Sequence, residues 1–173
     1  MATSVIDRLI KYFPIERNIH LSYDEFISDD ISTLNVEQVY EDEPWLARPS
    51  YNLIARPWPE ICWPEVAGLG LGLGLAGTSI VSFMNEKTFI HSFPSLLNFI
   101  HVFPSLPKDE NTGPASLLMD SFIECSLNLR NLYQDWKLAF YFSFNDDLIK
   151  IVHDILKEIN EPIAEDAIES YWH

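Results

Sequence analysis

The chain has 173 residues, 47% of them hydrophobic and 13% aromatic, and 26 acidic against 11 basic residues give a formal net charge of −15. That length suits one domain, 1–173, with a real core, and the apolar content excludes a disordered acidic tail. The charge repels nucleic acid and anionic membrane surfaces and speeds encounter with basic partners, so neither nucleic acid nor membrane is expected as a direct partner.

In chain order, Val5, Ile6, Leu9 and Ile10 recur at helical spacing and Pro14 closes the segment. This is a short amphipathic helix and not a signal peptide, so the expected compartment is cytoplasmic. Ser22-Tyr-Asp-Glu25 reads as a capping box. Asp24 to Glu43 then carries eight acids and no Lys or Arg, interrupted by Phe26 and Tyr40. Five prolines fall between Pro44 and Pro64 together with Trp45, Trp58 and Trp63, which predicts ordered loop with a short edge strand over Ser50–Ala55.

Gly68 to Ser79 reads GLGLGLGLAGTS and holds five of the six glycines. Its period of two predicts a strand over Gly68–Leu75, with Leu69, Leu71, Leu73 and Leu75 on one face and a bare glycine face opposite. Ser79–Phe83 and Lys87–His91 are rich in β-formers, with Asn85-Glu86 as a hairpin turn between them. Ser92 and Pro94 are expected to open a helix, and a long helix follows Pro114 with Leu118, Phe122, Cys125, Leu129, Leu132 and Trp136 in step. Leu138–Phe144 reads as a strand. Asn145 or Asp146 caps the best-patterned helix, and a short acidic helix follows Pro162.

Chemistry-bearing motifs are sparse. Gly72 to Gly77 matches G-x-G-x-x-G, but strand-forming residues follow it, and the only acid in the next twenty residues is Glu86. A Walker loop needs Lys after its last glycine, where this chain has Thr78. Cys62 and Cys125 fit neither a metal spacing nor a disulfide framework and read as buried thiols. The five histidines form no metal pair of known spacing, and no nucleophile elbow is present. No catalytic residue, cofactor or metal is therefore assigned, and the chain is not expected to be an enzyme.

The strongest lead is the concentration of acids. Asp24–Glu43 and Asp154–Glu169 together hold 14 of the 26, against one Lys, with Tyr40, Trp45, Tyr171 and Trp172 in or beside them. Carboxylates steer and pair with a basic partner while aromatic rings supply desolvated anchors, as a protein inhibitor of a nuclease requires. Tyr12-Phe-Pro14, Asn18-Ile-His-Leu-Ser-Tyr-Asp-Glu-Phe26, Pro57-Trp-Pro59 and the Gly-Leu run through Ser79 resemble the immunity proteins of bacterial contact-dependent growth-inhibition systems. The resemblance implies a cytosolic protein that binds and neutralises the C-terminal domain of its cognate toxin, often a tRNase or DNase.

The expected architecture is α+β, a single domain with a small, mainly antiparallel sheet and flanking helices. The expected toxin contacts are Asp29, Asp30, Glu41, Asp42 and Glu43 with Tyr40 and Trp45 as anchors, then Glu165, Asp166 and Glu169. Three rivals stay open. One is a nucleic-acid mimic that inhibits DNA- or RNA-binding proteins. Another is an inner-membrane immunity protein spanning at the uncharged run Val66–Asn85. The third is an enzyme, which would show turnover without a partner.

Overall fold

The computed structural model describes residues 4–19, 21, 51–71, 80–109 and 112–173. Among them there is no strand or sheet, and 73% are helical, so the fold is mainly α and the expected sheet is overturned. Eight α-helices are described: α1 (Val5–Ile10), α2 (Trp63–Val66), α3 (Ile80–Phe83), α4 (Glu86–Val102), α5 (Thr112–Phe122), α6 (Asp135–Phe142), α7 (Asp146–Ile159) and α8 (Pro162–Ser170). Single wide turns extend two of them, Ala67–Leu71 after α2 and Ile123–Leu127 after α5.

α4 is the centre. Its only charged residues are Glu86 and Lys87 at the first turn. From Ser92 to Leu97 every residue is buried. A helix apolar on all sides must be wrapped by others, and α1, α5, α7 and the turn Trp58–Glu60 all pack on it. Phe93, with no exposed surface, holds the middle. Its ring lies 5.1 Å from Phe140, 5.6 Å from Phe144, 5.7 Å from Tyr141 and 5.8 Å from both Phe13 and Phe89.

Polar groups inside this core are used as ties between elements. The indole N–H of Trp63 donates to Ser95 Oγ (2.9 Å), that of Trp58 to the Phe13 carbonyl (3.0 Å), and that of Trp172 to the Leu127 carbonyl (2.6 Å). Each bond satisfies a buried donor and fixes where one segment meets another. On the outside, α1 docks on α7 through Arg8 to Asp154 (3.7 Å) and through Lys11 and Tyr12 to Asp147. Such exposed pairs orient more than they stabilise.

The β-rich segments became helices because burial overrode local preference. Lys87–His91 is the start of α4: Asn85 is its N-cap, accepting from the Thr88 N–H at 2.9 Å, and not part of a hairpin turn. Thr88 and Phe89 are buried there, Phe89 against Trp136 and Phe140. Pro94 consequently sits inside α4 instead of opening a helix, and its missing N–H leaves the Ile90 carbonyl without its usual donor. Leu138–Phe144 is mostly α6, and Ser79–Phe83, as far as it is described, is α3. A helical turn at 51–54 replaces the expected edge strand.

The Gly-Leu stretch is also corrected. Its described part continues α2, with Pro64 in the first turn and Val66 and Ala67 buried, and the turn Ala67–Leu71 lies against α5. Helix contacts, not the period of two, decide its conformation. The helix after Pro114 is shorter than expected: α5 ends at Phe122, and Leu129, Leu132 and Trp136 lie beyond it.

Several expectations hold. Asn145 caps α7, its side chain accepting from the Leu148 N–H at 3.0 Å, and Leu148, Ile151, Val152, Ile155 and Leu156 face inward. α8 starts at Pro162, with α1 at the other end of the chain.

Two substitutions test this account of the core by equilibrium denaturation. Phe93→Ala should lower stability by about 3–5 kcal/mol, the usual range for emptying an aromatic site. Tyr141 is fully buried with a hydroxyl that lacks a partner. Tyr141→Phe should therefore leave stability unchanged or raise it by about 1 kcal/mol.

Candidate functional site

α8 is built to present acids. Ala164 and Ala167 are its buried residues, with Ile163 and Ile168 packed against the core. Helical spacing then puts Glu165 and Glu169, four apart, and Asp166 outward, and all three are exposed. A cleft of about 420 Å³ runs beside them, lined by Glu124, Asn128, Arg130, Asn131, Pro162, Ile163 and Asp166. Arg130 reaches Glu169 at 3.7 Å, both side chains more than half exposed.

Further acids crowd the same end. The pKa of Asp120 is raised, first by burial and then by the charges of Glu161 and Glu124. One of its carboxylate oxygens is buried without a hydrogen-bond partner. Like charges gathered on one face destabilise the free molecule and favour a cationic ligand.

Aromatic residues flank this surface. Phe142, 62% exposed, stacks edge-on against Tyr171 at 5.6 Å, next in sequence to the end of α8. Trp172 is completely buried, so of the C-terminal pair only Tyr171 reaches the surface. Phe142 and the 90% exposed Tyr133 were not identified from sequence. For Phe142, the strand reading of Leu138–Phe144 hid the signal. Helical spacing separates it from the buried Tyr141 by 100°.

Of the expected contacts, then, the structure brings Glu165, Asp166 and Glu169 together. Asp29, Asp30, Tyr40, Glu41, Asp42, Glu43 and Trp45 lie outside the described residues, as does the capping box at Ser22. Among the described residues no group of three or more His, Cys, Asp or Glu is placed to hold a metal ion, and no helix is long and apolar enough to cross a membrane. Cys62 and Cys125 are free and partly exposed, less buried than expected.

Two other places concentrate polar chemistry. A cleft of about 300 Å³ lies between Tyr12–Pro14, Trp58 and the Ile90–Pro94 side of α4. Its His91 is structural: Nε2 lies 3.1 Å from the Ile54 carbonyl and 2.9 Å from that of Arg56, and so carries the proton, while burial lowers its pKa. The other is Lys137, only 1% exposed, in the first turn of α6. Its Nζ lies 4.6 Å from the ring centre of Phe89 and 5.4 Å from that of Trp136. Burial takes its pKa from 10.5 to about 8, with nearby Cys125 acting weakly in the other direction.

In comparisons with known proteins, no family model, curated protein or solved structure matched the chain.

The depressed Lys137 pKa has a signed consequence. Between about 8 and 10.5 the unfolded chain binds a proton that the folded one does not. Stability should therefore rise with pH through that window, and below it the lysine costs about 3 kcal/mol. Lys137→Met keeps the volume without the charge. It should stabilise the protein at pH 7 by an amount of that order and flatten the rise between pH 8 and 10 in denaturation measurements.

Proposed function

We propose that the protein is a stoichiometric inhibitor of the immunity type, neutralising a basic toxin domain, with a nuclease as the class best suited to it. The observation that supports this most is the acidic face of α8. Three exposed carboxylates share this helix, Asp166 among them lining an open cleft, and exposed Phe142 packs against Tyr171 just past the helix end. A basic nuclease offers Lys and Arg where it binds phosphates, and carboxylates at α8 satisfy those groups in place of the nucleic acid. Phe142 and Tyr171 supply apolar area that charges alone lack. The net charge of −15 accelerates the encounter, an effect that falls with salt.

The acid run Asp24–Glu43 belongs to the same reading as a second contact surface, with Asp29, Asp30, Tyr40, Glu41, Asp42, Glu43 and Trp45 as its residues. Catalysis and cofactors are absent from this proposal, in which protection needs one inhibitor per toxin. Cytoplasmic residence follows from it, because an intracellular nuclease must be met where its substrate lies.

The test is co-expression with the C-terminal domain of the protein encoded by the adjacent upstream gene, taken as the candidate toxin. The wild-type chain should restore growth, and the triple reversal Glu165→Lys, Asp166→Lys, Glu169→Lys should abolish rescue and weaken binding by about a hundredfold or more. Failure of the wild type to bind any such domain overturns the function. Full protection by a folded triple variant overturns the α8 surface while leaving the function standing.

A further inference from the structure

We propose that the outward face of α6 docks a basic amphipathic helix of the partner protein. The proposal rests on the inhibitor reading above for the partner, while the kind of element that binds is read from α6 itself.

At 100° per residue, Asp135, Ala139 and Phe142 fall on one line of α6, with Leu138 beside it. Asp135, Ala139 and Phe142 are exposed and Leu138 is half-buried, whereas Lys137 and Tyr141 are buried on the opposite side. Trp136 and Phe140 pack on the core from the flanks. After Asp135 the outward line carries no polar side chain. A helix at a protein surface ordinarily turns a polar face to water. α6 is apolar on both sides, yet only its inner side is covered. Phe142 keeps 62% of its surface exposed, and Tyr133, 90% exposed, stands two residues before the helix. The edge-on contact of Phe142 with Tyr171 extends the apolar strip to the end of α8.

The relief of this face suits a helix. Ala139 sits one turn from Asp135 and one turn from Phe142, so a notch separates two larger side chains. Helices pack by dropping side chains spaced three or four apart into such notches. α6 spans about 12 Å, which accommodates two turns of a partner helix with anchors at i, i+3, i+4 and i+7.

Charge selects the occupant. From Asn131 to Ile149 the only Lys or Arg is Lys137, which is buried. From Glu158 to His173 there is none, against five acids. Asp135 and Asp146 are exposed at the starts of α6 and α7, and Glu165, Asp166 and Glu169 are exposed on α8 just before Tyr171. The apolar strip is thus bordered by acids, and a helix whose apolar face is bordered by Lys and Arg complements it in both respects. A second copy of this chain would bring another −15 against the same acids, and an anionic membrane is repelled likewise.

The test titrates the full chain with a synthetic peptide of leucine and lysine, about 15 residues long, whose leucines share one helical face. The reference is a permuted peptide of the same composition whose leucines share no face, which cancels the simple attraction of cations. The wild type should bind the first at least about tenfold more tightly. Ala139→Arg and Ala139→Glu fill the notch with opposite charges, and both should remove that preference. Phe142→Ser should reduce it. Both positions are exposed, so the circular dichroism of the variants should match the wild type. Equal binding of the two peptides by the wild type, or a preference that survives in every folded variant, overturns the proposal. So does a dimer in sedimentation that Ala139→Arg dissociates, since a second copy then occupies the face. With the candidate toxin domain, Ala139→Arg should weaken the complex by about tenfold or more. A complex indifferent to that change overturns the α6 surface and leaves the inhibitor reading standing. Absence of toxin binding beside an intact peptide preference overturns the inhibitor reading and supports the α6 face.

Discussion

The structure depends on burying α4 from all sides. A seventeen-residue helix with both its charges in the first turn cannot lie on a surface, so every other described helix is recruited to cover it or its covering layer. Phe93 makes this requirement specific. Its ring meets aromatic residues from α4 itself, the segment after α1, α5, α6 and the start of α7's cap. The contacts with Phe13, Phe122 and Phe140 are edge-to-face, an arrangement with a preferred geometry that adds direction to an otherwise non-directional hydrophobic term. With the apolar residues spent inward, the acids of the described residues are left to the periphery, among them those on the outer faces of α7 and α8.

This explains which parts of the fold were legible in the sequence. α7 was readable because it is a peripheral helix: one buried stripe, one polar face, and Asn145 as a side-chain cap. α8 was readable for the same reason, with Pro162 setting its start. The central helix carries no such contrast. Lys87–His91 has Thr, Phe and Ile in succession, which local preference assigns to a strand, and only contacts from Trp136 and Phe140, some fifty residues away, decide otherwise. α6 fails in the same way, since its run of Leu, Phe and Tyr has no clear polar face. The alternation at Gly68–Leu71 was a true pattern with the wrong cause assigned, because its backbone is governed by packing against α5.

The candidate site shows the same division. Carboxylates on α8 were visible as a cluster because exposed acids need no partner to be recognised, whereas exposed Phe142 was masked by its apolar neighbours. What the structure adds is crowding across elements. Asp120, Glu124 and Glu161 come from α5, the turn after it and the start of α8, and burial first, then the charges of Glu161 and Glu124, hold the Asp120 carboxyl above its ordinary range. Such a face stores unfavourable energy in the free molecule. A cationic partner removes that energy as it binds, so the repulsion contributes to discrimination between a basic protein and any other.

Lys137 obeys a different electrostatic rule from the surface around it. A net charge of −15 favours protonation of every lysine, yet that long-range field is screened over about 10 Å at ordinary ionic strength. The loss of water around a buried ammonium is local and unscreened, and here it wins, lowering the pKa where the field alone would raise it. An apolar residue of similar length would avoid that cost and still pack against Phe89 and Trp136. The amine therefore makes the native state less stable at neutral pH than it need be.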